Sequence, residues 1–405
     1  MKKNYLIFSI IFFIFLFFSI NSLALIPGDF GSAGGGPPDG VVDFEDLMIF
    51  AMAYGSIPGD ANWNPLCDIA GQGSTTPDGV VDFEDLMIFA MHYGEFLVHN
   101  LTKDTYYNTI QAALDDADSG DTIEVNDGTY DESITFPSGK VIILQSVNGS
   151  SSTIIRGNDG SDTVTFDGFL TGTILEGFTI THTEGLTGRG VYIVNGNLTI
   201  NECTISGNTT TFAGAGINNY GTLTIAGSNI SGNTGNVGAG IYNYSNGNLT
   251  ITGSDISTNT AGNGGGIYNY EGTITITSST TISGNTATGF GGGGIYNSGG
   301  TITITSSTIS SNIAYNSGGG IYNYDGTLAI TSSDISSNNA SQQGGGIYLG
   351  GTGTISIGGS DASDTSNFNA FTYNKKNGII SADQHIRNSS GDCHSSYPNN
   401  YYNPN

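Results

Sequence analysis

From about residue 97 to residue 374 the chain alternates apolar and polar side chains in short runs, as in Thr273-Ile274-Thr275-Ile276-Thr277. A period of two places isoleucines on one face of a strand and threonines on the other. Gly, Asn and Ser turns separate the runs, and no helical stretch crosses between them. A Gly-Ile-Tyr-Asn marker or a variant returns at Val191, Ile217, Ile241, Ile267, Ile295, Ile321 and Ile347, in steps of 26, 24, 26, 28, 26 and 26 residues. A second marker keeps pace, pairing Ile205 with Asn208, Ile256 with Asn259 and Ile335 with Asn338. Short strands without crossover helices bury an isoleucine face by winding into coils, each stacked about 4.8 Å above the last. The pattern predicts a mainly β fold, a right-handed parallel β-helix. A sandwich would show unequal strands rather than a near-constant period. Glycines ahead of each isoleucine are expected to take positive φ, and the recurring asparagines to form an amide ladder.

The start of this region reads differently. Tyr107 to Leu114 has the pattern of a short amphipathic helix, expected to cover the open sheet end. Thr122–Val125 and Gly128–Tyr130 follow as the first coil, with Ser119-Gly120-Asp121 as a plain turn. Residues 25–96 carry a second repeat. Pro38 to Met52 recurs letter for letter as Pro77 to Met91, an offset of 39. Leu47 to Met52 is apolar around the whole helix, and two such helices cannot hide every face in so small a module. The surplus face must meet a partner or the β-helix of the same chain. At the front, Met1-Lys2-Lys3, the apolar run Leu6–Ile20 and Ser22-Leu23-Ala24 form a secretory leader, residues 1–24. With the leader removed no segment could span a membrane, so the expected location is secreted or cell surface.

Charge narrows the partners. Nine Lys and Arg stand against 35 Asp and Glu, for a formal net charge of −26. Such a surface excludes nucleic acid, which needs basic residues at its phosphates, and favours cations. Cys67, Cys203 and Cys393 are far apart and odd in number, forming neither a disulfide framework nor a metal spacing. Between Arg189 and Lys375 there is no Lys or Arg. Residues 375–405 form a separate tail.

The run Thr109-Ile110-Gln111-Ala112-Ala113-Leu114, with Gly120-Asp121-Thr122-Ile123 and Gly128-Thr129-Tyr130, resembles the start of pectin-lyase-like β-helix proteins. The Gly-Gly-Gly-Ile and Ile-Ser-x-Asn markers resemble the repeats of polymorphic outer-membrane adhesins. The resemblance covers about residues 97–374 and speaks for fold more than for activity. It implies either a polysaccharide lyase or hydrolase or a non-catalytic surface protein. Lyases of that family use an Arg or Lys base beside acid-bound Ca²⁺, and hydrolases need converging carboxylates. The repeats supply neither, so no catalytic residue is assigned. Glu184 and Arg189 read as a surface ion pair, and the solitary His182 as structural. Tyr242, Tyr268, Tyr296, Tyr322 and Tyr348 fall beside inward isoleucines and so point outward. Rings one coil apart could stack on sugar rings, or on one another as a stiffening ladder. Tyr220, Tyr244, Tyr270 and Tyr324 make a second column.

The shape Asp, spacer, Asp-Gly-Val-Val-Asp-x-x-Asp-Leu, apolar helix resembles a dockerin, the duplicated EF-hand-like Ca²⁺ module that plugs into cohesins. The resemblance implies Asp29, Asp39, Asp43 and Asp46 as ligands of one loop and Asp68, Asp78, Asp82 and Asp85 of the other, with Gly40 and Gly79 at the sharp turns. Nine residues separate Asp29 from Asp39, and Asp68 from Asp78, where that family has three. A plain alternative is acidic caps on two helices. Phe44, Glu45, Phe83 and Glu84 fall where the family recognises its partner. The combined expectation is a secreted, non-catalytic, Ca²⁺-binding docking module (25–96) carrying a β-helical body (97–374) that binds a surface or a polysaccharide. Its partner would be a cohesin-like protein or the chain's own β-helix. The alternatives are a polysaccharide lyase or glycosidase of a docked complex and a structural spacer.

Overall fold

The computed structural model describes residues 29–30, 42, 44–70, 77–92 and 97–357, and four strands beyond them: Ala370–Thr372, Lys375–Lys376, Ile379–Ile380 and Ile386–Asn388. The expected leader, Asp39, Asp43 and most of the tail lie outside these residues. The chain divides into two units, Met1–Phe96 and Leu97–Asn405.

In the second unit the alternating runs are strands, and they wind into a parallel β-solenoid of about nine turns. One coil shows the scheme. Ile267–Tyr270 leads through a tight corner into Thr273–Thr277, then Thr281–Ser283, then Thr286–Gly291. Each strand pairs in parallel with its copy one coil away, and the first three do so residue for residue: Ile267 with Ile241 and Ile295, Ile274 with Leu249 and Ile302, Ile282 with Ile256 and Ile309. The isoleucines therefore stack on one another, and Ile267, Ile274, Ile276 and Ile282 have no exposed surface. A third, narrower wall is lined inside by Ala287, Ala314 and Ala340.

The two markers do different work. The first glycine of each Gly-Gly-Gly-Ile run takes the positive φ, as at Gly264 (φ +59), which L side chains avoid. The glycine directly before isoleucine serves close packing instead: a Cβ on Gly266 would stand 2.7 Å from the Gly294 carbonyl oxygen. The expectation of positive φ thus holds for the glycine that opens the marker, as at Gly264, and not for the one that touches the isoleucine, as at Gly266. The asparagines form the expected ladder. Asn259 Nδ2 donates to Asn285 Oδ1 (3.0 Å) and to the Ile230 carbonyl (2.9 Å), and Oδ1 accepts from the amide of Asn233 (3.0 Å). A second ladder runs through the marker itself, from Asn219 to Asn323, with amide-to-amide bonds of 2.7 to 2.9 Å.

Helix α3 (Ile110–Asp116) packs on Ile134–Phe136 and Val98–Asn100 at the first coil. Thr109 caps it by accepting from the Ala112 amide. Glu132 accepts from the Ile110 and Gln111 amides (2.8 and 3.0 Å), supplying acceptors to a helix start that lacks them. Burial pushes the Glu132 carboxyl up, against the pull of those two bonds.

In the first unit, helices α1 (Phe44–Ala53) and α2 (Phe83–His92) are the two copies of the repeat. Phe50 and Phe89, equivalent by the 39-residue offset, stack at 5.6 Å, and Phe30 stacks on both at 5.9 and 5.7 Å. These three rings are the module's core. The Gly55 amide donates to the Val81 carbonyl, and the Val81 amide donates to that of Ser56. Among the described residues no helix is long and apolar enough to cross a membrane.

Candidate docking surface, acidic loops and tyrosine columns

Once Phe50 and Phe89 turn inward, helical geometry decides what turns outward. Residues at i, i+4 and i+8 share a face, and Phe44, Met48 and Met52 are 63, 53 and 65% exposed. On the second helix Phe83 and Met87 are exposed in the same way. Each copy therefore presents an apolar ridge that its own core does not use. Glu45 and Glu84 are half-buried beside the ridges. Tyr54, Ile57 and Leu66 add further exposed apolar surface on the same module.

The acidic loops are tightly tied to backbone. Asp85 is fully buried; its Oδ1 accepts from the Ile69 and Ala70 amides (2.6 and 2.7 Å) and its Oδ2 from the Asp82 amide (2.8 Å). Asp46, its equivalent, is buried and accepts from the Phe30 amide (2.6 Å). Asp68 accepts from Asp78 on one oxygen and Gly79 on the other (3.0 and 2.9 Å). Asp78 and Asp82 each accept from the amide two residues on, the Asx-turn arrangement. Asp29 is buried. Asp39 and Asp43 lie outside the described residues, so the second loop is the one seen with all four of its acids. Its donor set is all oxygen, which suits Ca²⁺. Yet no three acids among the described residues lie close enough to hold one ion, and the carboxylates would have to converge further to do so. Cys67, next to Asp68 in sequence, is buried. Burial first, then the charges of Asp85 and Asp46, push its thiol up to about 12.

The tyrosine columns are in register, and their faces are largely occupied. Tyr268 stacks on Tyr296 at 4.9 Å and 1°, and Tyr296 on Tyr322 at 4.7 Å and 5°. Tyr242 and Tyr348 extend the column at 5.6 and 4.8 Å. The second column joins it, with Tyr244 on Tyr220 at 4.7 Å and on Tyr270 at 5.4 Å. The Arg189 guanidinium lies 4.3 Å from the Tyr192 ring centre, at the coil where the Gly-Ile-Tyr marker first appears. Burial pushes the hydroxyls of Tyr242, Tyr268 and Tyr296 up, and that of Tyr322 to about 12. What these side chains offer a ligand is ring edges and hydroxyls.

Two smaller expectations meet the structure here. Arg189 pairs with Asp162 (3.4 Å) across the coil, rather than with Glu184 in its own loop. His182 is buried at the head of the asparagine ladder, 2.9 Å from Asn208 Oδ1 and 2.7 Å from the Ser161 carbonyl oxygen, a structural position as expected. Pattern reading missed the exposed rings of Phe212, Phe290 and Tyr315. Phe212 and Tyr315 fall in bends and Phe290 in the strand Thr286–Gly291, all in the variable part of each repeat, where no period marks them. It also missed Phe30, whose place in the module core is set by a contact far away in sequence.

No protein-family model, no curated protein and no solved structure matches this chain.

Proposed function

We propose that residues 25–96 are a docking module that carries the β-solenoid as a non-catalytic, surface- or glycan-binding body outside the cell. One observation carries the reading: two copies of the same helix expose the same ridge, Phe44-Met48-Met52 and Phe83-Met87, on a module whose core is already filled by Phe30, Phe50 and Phe89. Apolar side chains left in water at i, i+4 and i+8 are the anchors by which a helix meets a groove or another helix. A dockerin-like plug into a cohesin-type domain fits this duplicated arrangement, with Glu45 and Glu84 at the rim. The right-handed sense of the solenoid and the pectin-lyase-like relationship belong to the same reading.

Calcium enters on donor chemistry. Four carboxylates in one loop, with glycine at the sharp turn, suit a hard cation, and a strongly acidic chain attracts one. Calorimetry of the full chain with Ca²⁺ is expected to give saturable heat that Asp68→Ala and Asp85→Ala remove. A parent protein that gives no heat would leave the acids as backbone ties alone. For the body, the absence of Lys and Arg from Gly190 to Asn374 supports binding over lyase chemistry. Incubation with a panel of acidic and neutral polysaccharides is expected to release no products; product release would replace this reading with the enzymatic one.

A further inference from the structure

One wall of the solenoid is a lattice of threonine. Its strands are Thr222–Ala226, Asn248–Thr252, Thr273–Thr277, Thr301–Thr305, Thr327–Thr331 and Thr354–Ile357. Every second side chain points out, and of these 17 outward positions 13 are threonine; the others are Ala226, Asn248, Ala329 and Ser356. All are half to fully exposed, while the residues between them are buried or nearly so. The strands pair without a register shift, so that Thr250, Thr275 and Thr303 stand in one column. Elsewhere in the solenoid register shifts do occur, as between Val191–Asn201 and Val164–Glu176.

Strand propensity explains why threonine is welcome on a sheet, but a solvated sheet face ordinarily mixes in charges. Here the grid holds none, and the nearby acids Glu202, Glu271 and Asp325 sit in corner turns at positive φ. Threonine is β-branched, so its χ1 is stiff and its methyl and hydroxyl hold fixed places. The result is a rigid two-dimensional array with rows about 4.8 Å apart and columns about 6.6 Å apart.

A flexible chain or a globular partner gains nothing from such periodicity; a crystal does. The shorter repeat is close to the shorter oxygen repeat on the prism planes of ice, and the longer one falls a little short of the other. A hydroxyl can take the place of a lattice oxygen while the neighbouring methyl fills the void between water positions. Each contact is weak, but positions fixed on one face act together, as in any multivalent attachment. Crystalline polysaccharide is the other periodic surface to consider, but the grid offers it no aromatic ring to stack on.

We propose that this threonine face binds ice, with crystalline water as its ligand. The proposal is independent of what the N-terminal module docks to. The test is thermal hysteresis and inhibition of ice recrystallisation by the full chain, beside Thr275→Tyr and Thr303→Tyr. A tyrosine in the middle of the face lifts a flat lattice off its neighbours but disturbs no inward side chain. The expected result is faceted ice and a hysteresis gap for the parent, both lost in the two variants at unchanged thermal stability. Ser257→Tyr, on a different wall, should leave both intact. A parent protein with neither effect overturns the proposal, as does an effect that survives both variants. Retention on microcrystalline cellulose or chitin that the two variants abolish, without any effect on ice, would also overturn it by giving the face to another lattice.

Discussion

Thr258 takes φ +55 at a corner where the equivalent residues of three other coils, Gly207, Gly232 and Gly284, are glycines at φ +64 to +69. A left-handed conformation costs a non-glycine residue about 1–2 kcal/mol, and threonine is branched where the crowding arises. Thr258→Gly should therefore stabilise the chain, by about 1 kcal/mol after the extra chain entropy of glycine is set against the relief. A shift of the urea midpoint to higher concentration checks this. The adjacent residue predicts the opposite. Asn259→Ala leaves the Ile230 carbonyl and the Asn233 amide without their side-chain partner inside a dry wall, while Asn285 Oδ1 keeps only the backbone amide of residue 259. Each orphaned buried group costs about 1–3 kcal/mol, so the urea midpoint should fall markedly, and an unchanged midpoint would show that the ladder is ornamental. The ladder asparagines were legible because their spacing repeats with the isoleucines. The φ at Thr258 was not, because a corner that admits glycine, serine or threonine leaves no single letter to repeat.

At the scale of elements, the strands came through alternation almost directly, since period two and burial on one side are the same fact. The tyrosines were legible as columns but not as closed stacks; that needed the register, which sets neighbouring rings less than 5 Å apart at Tyr268, Tyr296 and Tyr322. Stacking has a titration consequence. Buried hydroxyls favour the neutral form, so the folded chain holds those protons more tightly than the unfolded chain, whose tyrosines ionise near pH 10. The stability they contribute is complete below pH 10 and declines as pH rises toward about 12 for Tyr322. Spectrophotometric titration should show a group of tyrosines ionising late and together with loss of β-sheet circular dichroism. Ionisation of every tyrosine near pH 10 with the fold intact would contradict the stacking. The helices of the N-terminal module show the reverse balance. Their all-round apolar character was plain in Leu47–Met52, yet which side faces water depended on Phe30, a tertiary contact that no local period encodes.

For the whole molecule, the physical division is between a body that has satisfied itself and a module that has not. The solenoid stacks its isoleucines, asparagines and tyrosines on their own copies. The module fills a three-ring core and still leaves five side chains of its two ridges in water. The acidic loops were legible as a motif; that their carboxylates are committed to backbone amides was not, because the motif specifies residue types and not what each oxygen faces. The most direct test of the docking claim is the affinity of the full chain for purified cohesin-type domains, measured with Phe44→Glu and Phe83→Glu made together. The account predicts saturable binding that this double variant loses while its unfolding temperature stays where it was. Binding that ignores the substitutions, or none with any such domain, would contradict it.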